Sequence, residues 1–199
     1  MTIPIEKIRE LRERTGAGVL NCKKALEATD GDIVKSIEYL RKLGIAKAET
    51  KLMRKTDEGI IASYIHPGAR LGVLVELNCE TDFVAKTENF KKLAKDIAMQ
   101  IAATNPISIR REDIAKEMIE REMTIYRTQV ENSGKPESVI DKVVEGKLNK
   151  FFKDFCLLEQ PFVKDSNINI EDYIKSYISK LGENITIKRF ARFRIGEEA

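Results

Sequence analysis

Apolar residues recur along the first forty positions at a spacing that closes on one face of a helix, three times in succession. Ile5, Ile8 and Leu11 predict a first helix, with Pro4 at its first turn and Gly16 as its stop. Val19, Cys22 and Leu26 predict a second, with Lys23 and Lys24 on the opposite side. Asp30-Gly31-Asp32 offers a carboxylate to cap a third helix, which buries Ile33, Ile37 and Leu40 and ends at Gly44. Gly16 and Gly18 flank the first connection, where positive φ is their expected use. So small a bundle has a thin core. Residues 45–58 are rich in Lys, Glu and Ala with weak apolar periodicity. They read as the tail of the third helix or a short helical linker, with the basic run Lys47 to Lys55 as a solvated face.

Beyond residue 58 the period changes. Gly59 to Ile65 and Arg70 to Leu77 are β-rich runs around His66-Pro67-Gly68-Ala69, a hairpin signal. Phe90, Leu93, Ile97 and Ile101 then predict an amphipathic helix from about Thr87 to Ala103, broken by Thr104-Asn105-Pro106. A second helix is expected from about Arg111 to Glu131, with Ile114, Met118, Met123, Tyr126 and Val130 on its apolar side and the methionines as packing residues. Ser133-Gly134-Lys135-Pro136 reads as a stop and restart, Gly134 serving as the left-handed cap. A third helix through Ile140, Val144, Leu148 and Phe151 should end near Phe155 and fold back on the second. Gln160-Pro161-Phe162 is extended, because proline biases Gln160 away from helix. A short helix from Ile170 to Leu181 is capped by Asn169 and stopped by Gly182. The last strand places residues 185, 187, 191, 193 and 195 on one face, with Arg189 interrupting. Set beside the hairpin, it makes a three-stranded antiparallel sheet. The fold class is α+β: a three-helix domain over residues 1–53, and a core domain with that sheet, packed helices and a helical hairpin over 54–199.

Composition narrows the function classes. The 199 residues carry 35 basic and 32 acidic side chains, a net charge of +3 that is too balanced to imply nucleic-acid binding from bulk electrostatics. The cationic residues Lys188, Arg189, Arg192 and Arg194, interleaved with Phe190 and Phe193, could make an RNA-contacting ribbon. They are equally what an edge strand carries against aggregation, and that reading fits better. Cys22, Cys79 and Cys156 match neither a disulfide framework nor metal-ligand spacing and read as buried reduced thiols, which gives a cytoplasmic address. No apolar run approaches a membrane span, and the amino terminus lacks a signal-peptide pattern. There is no phosphate-binding glycine loop, no nucleophile elbow and no zinc spacing, and the single histidine, His66, sits in an expected turn. No catalytic residue, cofactor site or metal site is assigned, and the expected activity is binding without covalent chemistry.

One stretch remains. Asn78-Cys79-Glu80-Thr81-Asp82-Phe83-Val84-Ala85-Lys86 joins the end of an apolar strand to the start of a helix. Phe83 there is open to two readings: a staple that closes the helix entry onto the core, or an anchor that meets a partner. Together with Thr15-Gly16-Ala17-Gly18 and Cys22-Lys23-Lys24-Ala25-Leu26, this stretch resembles the translation elongation factor Ts family. Gln160-Pro161-Phe162-Val163 is similar to a segment of the same family, and the resemblance covers essentially the whole chain.

The resemblance implies a ubiquitin-associated-like first domain and a guanine nucleotide exchange factor for elongation factor Tu. Such a factor binds the protein and not the nucleotide, and disturbs its Mg²⁺ and phosphate site. It places Thr81, Asp82, Phe83 and Val84 at that lever. It implies docking of the first domain on the partner through Leu11, Val19 and Leu20, although Val19, Leu20 and Asn21 stand where methionines and an aspartate are commoner. Gln160, Pro161 and Phe162 remain either core wedge or partner contact. Longer members carry two related core halves. The single half here implies a homodimer through the second domain. No nucleic acid and no membrane is expected as a partner.

Overall fold

A computed structural model of the chain describes residues 3–133 and 136–197, and of Lys47 the backbone alone. In order it runs α1 (Ile5–Thr15), α2 (Val19–Ala28), α3 (Ile33–Glu49), β1 (Glu58–Ile65), β2 (Leu71–Cys79) and α4 (Asp82–Ala85). There follow α5 (Glu88–Thr104), α6 (Lys116–Glu131), α7 (Glu137–Phe155), β3 (Pro161–Phe162), β4 (Asp165–Asn169), α8 (Ile170–Leu181) and β5 (Ile185–Arg194). The fold is α+β, with β1, β2 and β5 forming a three-stranded antiparallel sheet in the order β1-β2-β5. The small pair β3-β4 is separate.

The chain forms two compact units. The first comprises Met1–Ile60, Asn78–Leu93 and Ile174–Thr186. Within it α1, α2 and α3 close around Leu11, Cys22, Ala25 and Leu26, with Ile33, Ile37 and Leu40 packed against them. Gly16 ends α1 at φ 66°, a left-handed conformation that favours glycine, and its N–H bonds to the Arg12 carbonyl. Gly18 lies at φ −63° as an extended N-cap, so the positive-φ reading holds at Gly16 and not at Gly18. Asp32 caps α3 by accepting from the Lys35 N–H at 3.0 Å.

Gly44 does not stop α3, which runs on to Glu49. A Cβ on Gly44 would meet the Ser179 side chain at 3.4 Å, an ordinary van der Waals contact, so Gly44 lies against α8 inside a continuous helix. The Lys51 ammonium donates to the Gly182 carbonyl at 2.5 Å beyond the end of that helix. α8 itself begins with the Asn169 side chain accepting from the Asp172 N–H at 2.7 Å and stops at Gly182, φ 85°.

The second unit comprises Ile61–Leu77, Ala94–Tyr173 and Ile187–Ala199. Its α6 and α7 form the expected hairpin over two small cores: Ile114, Phe151, Phe152 and Cys156, then Val130, Ile140 and Val144. A 3₁₀ turn at Arg111–Asp113 precedes α6, which begins at Lys116, so Ile114 lies before the helix. Tyr126 and Val130 pack inward as expected, joined by Ile119, whereas Met118 and Met123 are exposed, a correction to their reading as core. The Gly134 cap falls outside the described residues.

β2 alternates cleanly, with Val73, Val75, Leu77 and Cys79 all buried. β5 does so only at its start. Ile185 and Ile187 are buried, but Arg189 breaks the alternation to pair with Glu76 at 2.7 Å, and Phe193 and Ile195 beyond it are exposed.

Candidate functional site: a braced strand-to-helix corner

The strand β2 ends at Cys79, and within two residues the chain enters α4. Thr81 makes that turn possible. Its φ and ψ are −129° and 154°, extended, and its hydroxyl oxygen accepts from the Val84 N–H at 3.4 Å, so it is the N-cap of the short helix. The cap is a threonine, one of the short side chains that reach the free donors of a first turn. Asp82 follows, where a carboxylate suits the positive helix end, and accepts from the Lys86 ammonium at 2.5 Å. That hydrogen bond holds the Asp82 carboxyl below its ordinary range.

Phe83 lies one residue further along and is 80% exposed. The staple reading is therefore not what the fold adopts. Ala85 is the residue of α4 that turns inward, and Phe90 on α5 is the aromatic that fills the interior. An exposed phenylalanine on a one-turn helix leaves apolar area in water, on the order of 1.5–3 kcal/mol that burial would recover.

Polar contacts brace the corner. The Glu183 carboxylate accepts from the backbone N–H groups of Glu80 and Thr81 at 3.1 and 3.0 Å, and from the Thr81 hydroxyl at 2.6 Å. The Cys79 thiol donates to the Thr81 carbonyl at 3.1 Å. Burial, and then the neighbouring Glu183 carboxylate, push that thiol up to about 11, so it stays a protonated donor at neutral pH. Residue-by-residue reading of the sequence missed Glu183, and no local signal could have found it: 102 residues separate it from Thr81.

The other candidate residues divide. Leu20 is 74% exposed and Val19 is half exposed at the start of α2, beside the Gly16–Gly18 turn, where a partner can reach them. Leu11, expected among the docking residues, is fully buried in the three-helix core and is not on the surface with them. Gln160 and Phe162 are also buried. Gln160 bonds with Gln100, Thr104 and the Asp154 carbonyl, and Phe162 stacks on Tyr173 with ring centroids 4.2 Å apart. Both act as core, and Pro161 between them is exposed.

The three cysteines are buried and unpaired with one another. Among the described residues no group of three or more His, Cys, Asp or Glu is placed to hold a metal ion, and no helix is long and apolar enough to cross a membrane. His66 sits in the β1-β2 turn, 3.1 Å from the Tyr64 hydroxyl.

Fold and site together define an α+β protein with a small helical bundle, a three-stranded sheet and an aromatic side chain held outward on a polar-braced corner. Comparison with known proteins gives this class its family. The family model described as elongation factor TS matches residues 23–197. Curated elongation factor Ts from Desulfosudis oleivorans is 55% identical over 196 residues, covering 98% of this chain and 99% of the relative. The protein of the same name from Thermosipho melanesiensis is 57% identical over 195 residues, covering 98% of this chain and all of the relative. That from Carboxydothermus hydrogenoformans is 56% identical over 195 residues, covering 98% and 90%. The chain belongs to the elongation factor Ts family. Membership makes it an exchange factor of translation elongation.

Proposed function

We propose that this chain promotes release of GDP from elongation factor Tu, so that GTP can bind, by inserting the Thr81-Asp82-Phe83-Val84 corner beside the partner's Mg²⁺ and phosphate site. The observation that carries this reading is the exposure of Phe83 on a corner whose backbone is pinned by Glu183. A GTPase holds its nucleotide through a backbone cradle and a Mg²⁺ ion, so moving either one loosens several contacts at once. A rigid aromatic ring provides that displacement with little entropy to lose. The chain itself binds protein and not nucleotide, and it does no covalent chemistry.

Linkage fixes the consequence. Whatever factor the exchange protein takes from GDP affinity, GDP takes from the affinity of the exchange protein. The complex is then transient whenever nucleotide is abundant. Val19 and Leu20 on α2 supply a second contact in this reading, an exposed apolar knob that holds the partner while the corner acts. The test is stopped-flow release of a fluorescent GDP from elongation factor Tu. Acceleration that saturates with the concentration of this chain is expected, and release at the intrinsic rate at every concentration overturns the reading.

The same reading includes a homodimer through the second unit. There Ile65, Leu71, Leu74, Phe193 and Ile195 line an open apolar groove, and the Ile195 N–H bonds to the Arg70 carbonyl at its rim. All but Leu71 are exposed large hydrophobics, and β1 and β5 are both edge strands. An open groove with these apolar side chains, lined also by Arg70, Arg192, Arg194 and Glu197, on a sheet whose outer strands are β1 and β5, fits a second copy of itself.

A further inference from the structure

The corner that carries Phe83 has little apolar anchorage of its own. Thr81, Phe83 and Lys86 are exposed, and Ala85 and Cys79 are the small residues that turn inward. Packing of two small side chains does not fix the direction in which a neighbouring ring leaves the surface. That direction is set by the turn between α8 and β5.

Gly182, at φ 85°, ends α8 and lets the chain reverse into Glu183-Asn184. Glu183 then takes both backbone donors at the corner, Glu80 N–H and Thr81 N–H, on one carboxylate oxygen. Its other oxygen takes the Thr81 hydroxyl proton at 2.6 Å. With that proton committed, the lone pairs of the Thr81 oxygen are left for the Val84 N–H, which is the capping bond of α4. Glu183 therefore sets both the backbone entering the helix and the rotor that caps it.

The grip is returned from the other side. The Glu80 carboxylate accepts the Asn184 N–H at 2.6 Å and lies 3.6 Å from the Arg54 guanidinium. The Asn184 amide donates to the carbonyls of Leu52 and Arg54 at 3.1 and 2.8 Å. The two segments thus exchange carboxylates: Glu183 serves Glu80 and Thr81, and Glu80 serves Asn184. All of these groups lie in the first unit.

We propose that Glu183 is the positioning residue of the exchange corner, fixing the orientation of Phe83 through Thr81 without itself touching the partner. This rests on the exchange reading of the corner. A group held within about an ångström of its productive geometry can lose rate on the order of a hundredfold when it is misplaced. Freeing the corner should then reduce the maximal rate of exchange more than it reduces binding.

The chain contains no tryptophan, so Phe83→Trp places a single fluorescent indole at the lever. Time-resolved anisotropy of that indole, in Phe83→Trp alone and combined with Glu183→Ala or Glu183→Gln, reads the clasp in the isolated full chain. GDP release from elongation factor Tu, run on Glu183→Ala, Glu183→Gln and Phe83→Ala without the tryptophan, reads its consequence. The expected result is a larger amplitude of segmental motion of the indole when Glu183→Ala is added. The maximal release rate falls roughly tenfold with the half-saturating concentration changed less than about threefold. Glu183→Gln, which keeps one acceptor oxygen but has no charge, recovers part of both, and it decides the matter if Glu183→Ala does not fold. Unchanged indole motion in a folded variant overturns the clasp, whatever the exchange assay gives. Increased indole motion with a wild-type maximal rate overturns the positioning role. Wild-type activity in Phe83→Ala with increased indole motion upholds the clasp and removes the exchange reading instead.

Discussion

Gln100 and Gln160 meet in the interior of the second unit, the Gln100 amide donating to the Gln160 side-chain oxygen at 3.2 Å. Both side chains spend their polar atoms inside. Gln160 also accepts from the Thr104 hydroxyl at 2.6 Å and donates to the Asp154 carbonyl at 2.8 Å, and Gln100 accepts the Val163 N–H at 2.9 Å. Removing Gln160 takes the donor from the Asp154 carbonyl and an acceptor from the Gln100 amide and the Thr104 hydroxyl, which keep only the Pro161 and Gln100 carbonyls. Gln160→Ala should cost about 2–4 kcal/mol of stability, since each buried group left unpaired costs about 1–3 kcal/mol. Urea denaturation checks this, with Pro161→Ala, at an exposed position, expected to change little.

Leu20→Asp should weaken binding to elongation factor Tu roughly tenfold and leave thermal unfolding near that of the unmodified chain, because the leucine is exposed and its loss opens no cavity. Leu11→Ala is the contrast. It should lower stability by about 2–5 kcal/mol, since Leu11 fills the three-helix core. Binding and melting measured on both variants separate the two roles.

The contrast between these leucines shows what periodicity conveys. A 3.6-residue pattern puts Leu11 inside and Leu20 outside, and the fold agrees with it. The extent of an element is less legible, because one residue type serves different ends. Gly44 reads as a stop, yet α3 continues through it to Glu49, beside Ser179 on a helix far along the chain. In α6, Met118 and Met123 are exposed while Ile119 and Tyr126 pack inward, a choice between neighbouring apolar positions that spacing alone left open. Phe83 illustrates the limit most directly. Its place on a corner could be read from the strand and helix around it, but not which of Phe83 and Phe90 would be buried: Phe90 is, and Phe83 is 80% exposed. Glu183 could not be found by spacing at all, since its partners are brought to it only by the fold.

Cys79 ties stability to alkaline pH. Its thiol is held up to about 11 in the folded chain against an ordinary value of 9.0. The folded state therefore keeps a proton that the unfolded state releases first. That stabilisation is complete below pH 9 and is lost as pH rises towards 11. Denaturation midpoints should fall over that window, and Cys79→Ser should flatten the part of the slope that the thiol causes. A thiol reagent at about pH 8, where the folded thiol stays protonated and buried, should label Cys79 only through unfolding.

Phe193→Asp places a charge on the apolar groove of the second unit. In the dimer reading it should shift the mass seen by light scattering at micromolar concentration from two chains to one, with little change in monomer fold, since Phe193 is exposed. A one-chain mass for the unmodified protein under the same conditions contradicts the dimer.

If the exposed ring of Phe83 drives exchange, its removal must show in the exchange rate itself. The most direct test is release of fluorescent GDP from elongation factor Tu by the unmodified chain and by Phe83→Ala, with the fold of each checked by circular dichroism. Strong acceleration is expected from the first and a loss of about thirtyfold or more in the second, the scale of truncating an interface anchor. Equal acceleration by two folded proteins would contradict this and leave Phe83 as an exposed side chain without a part in the exchange.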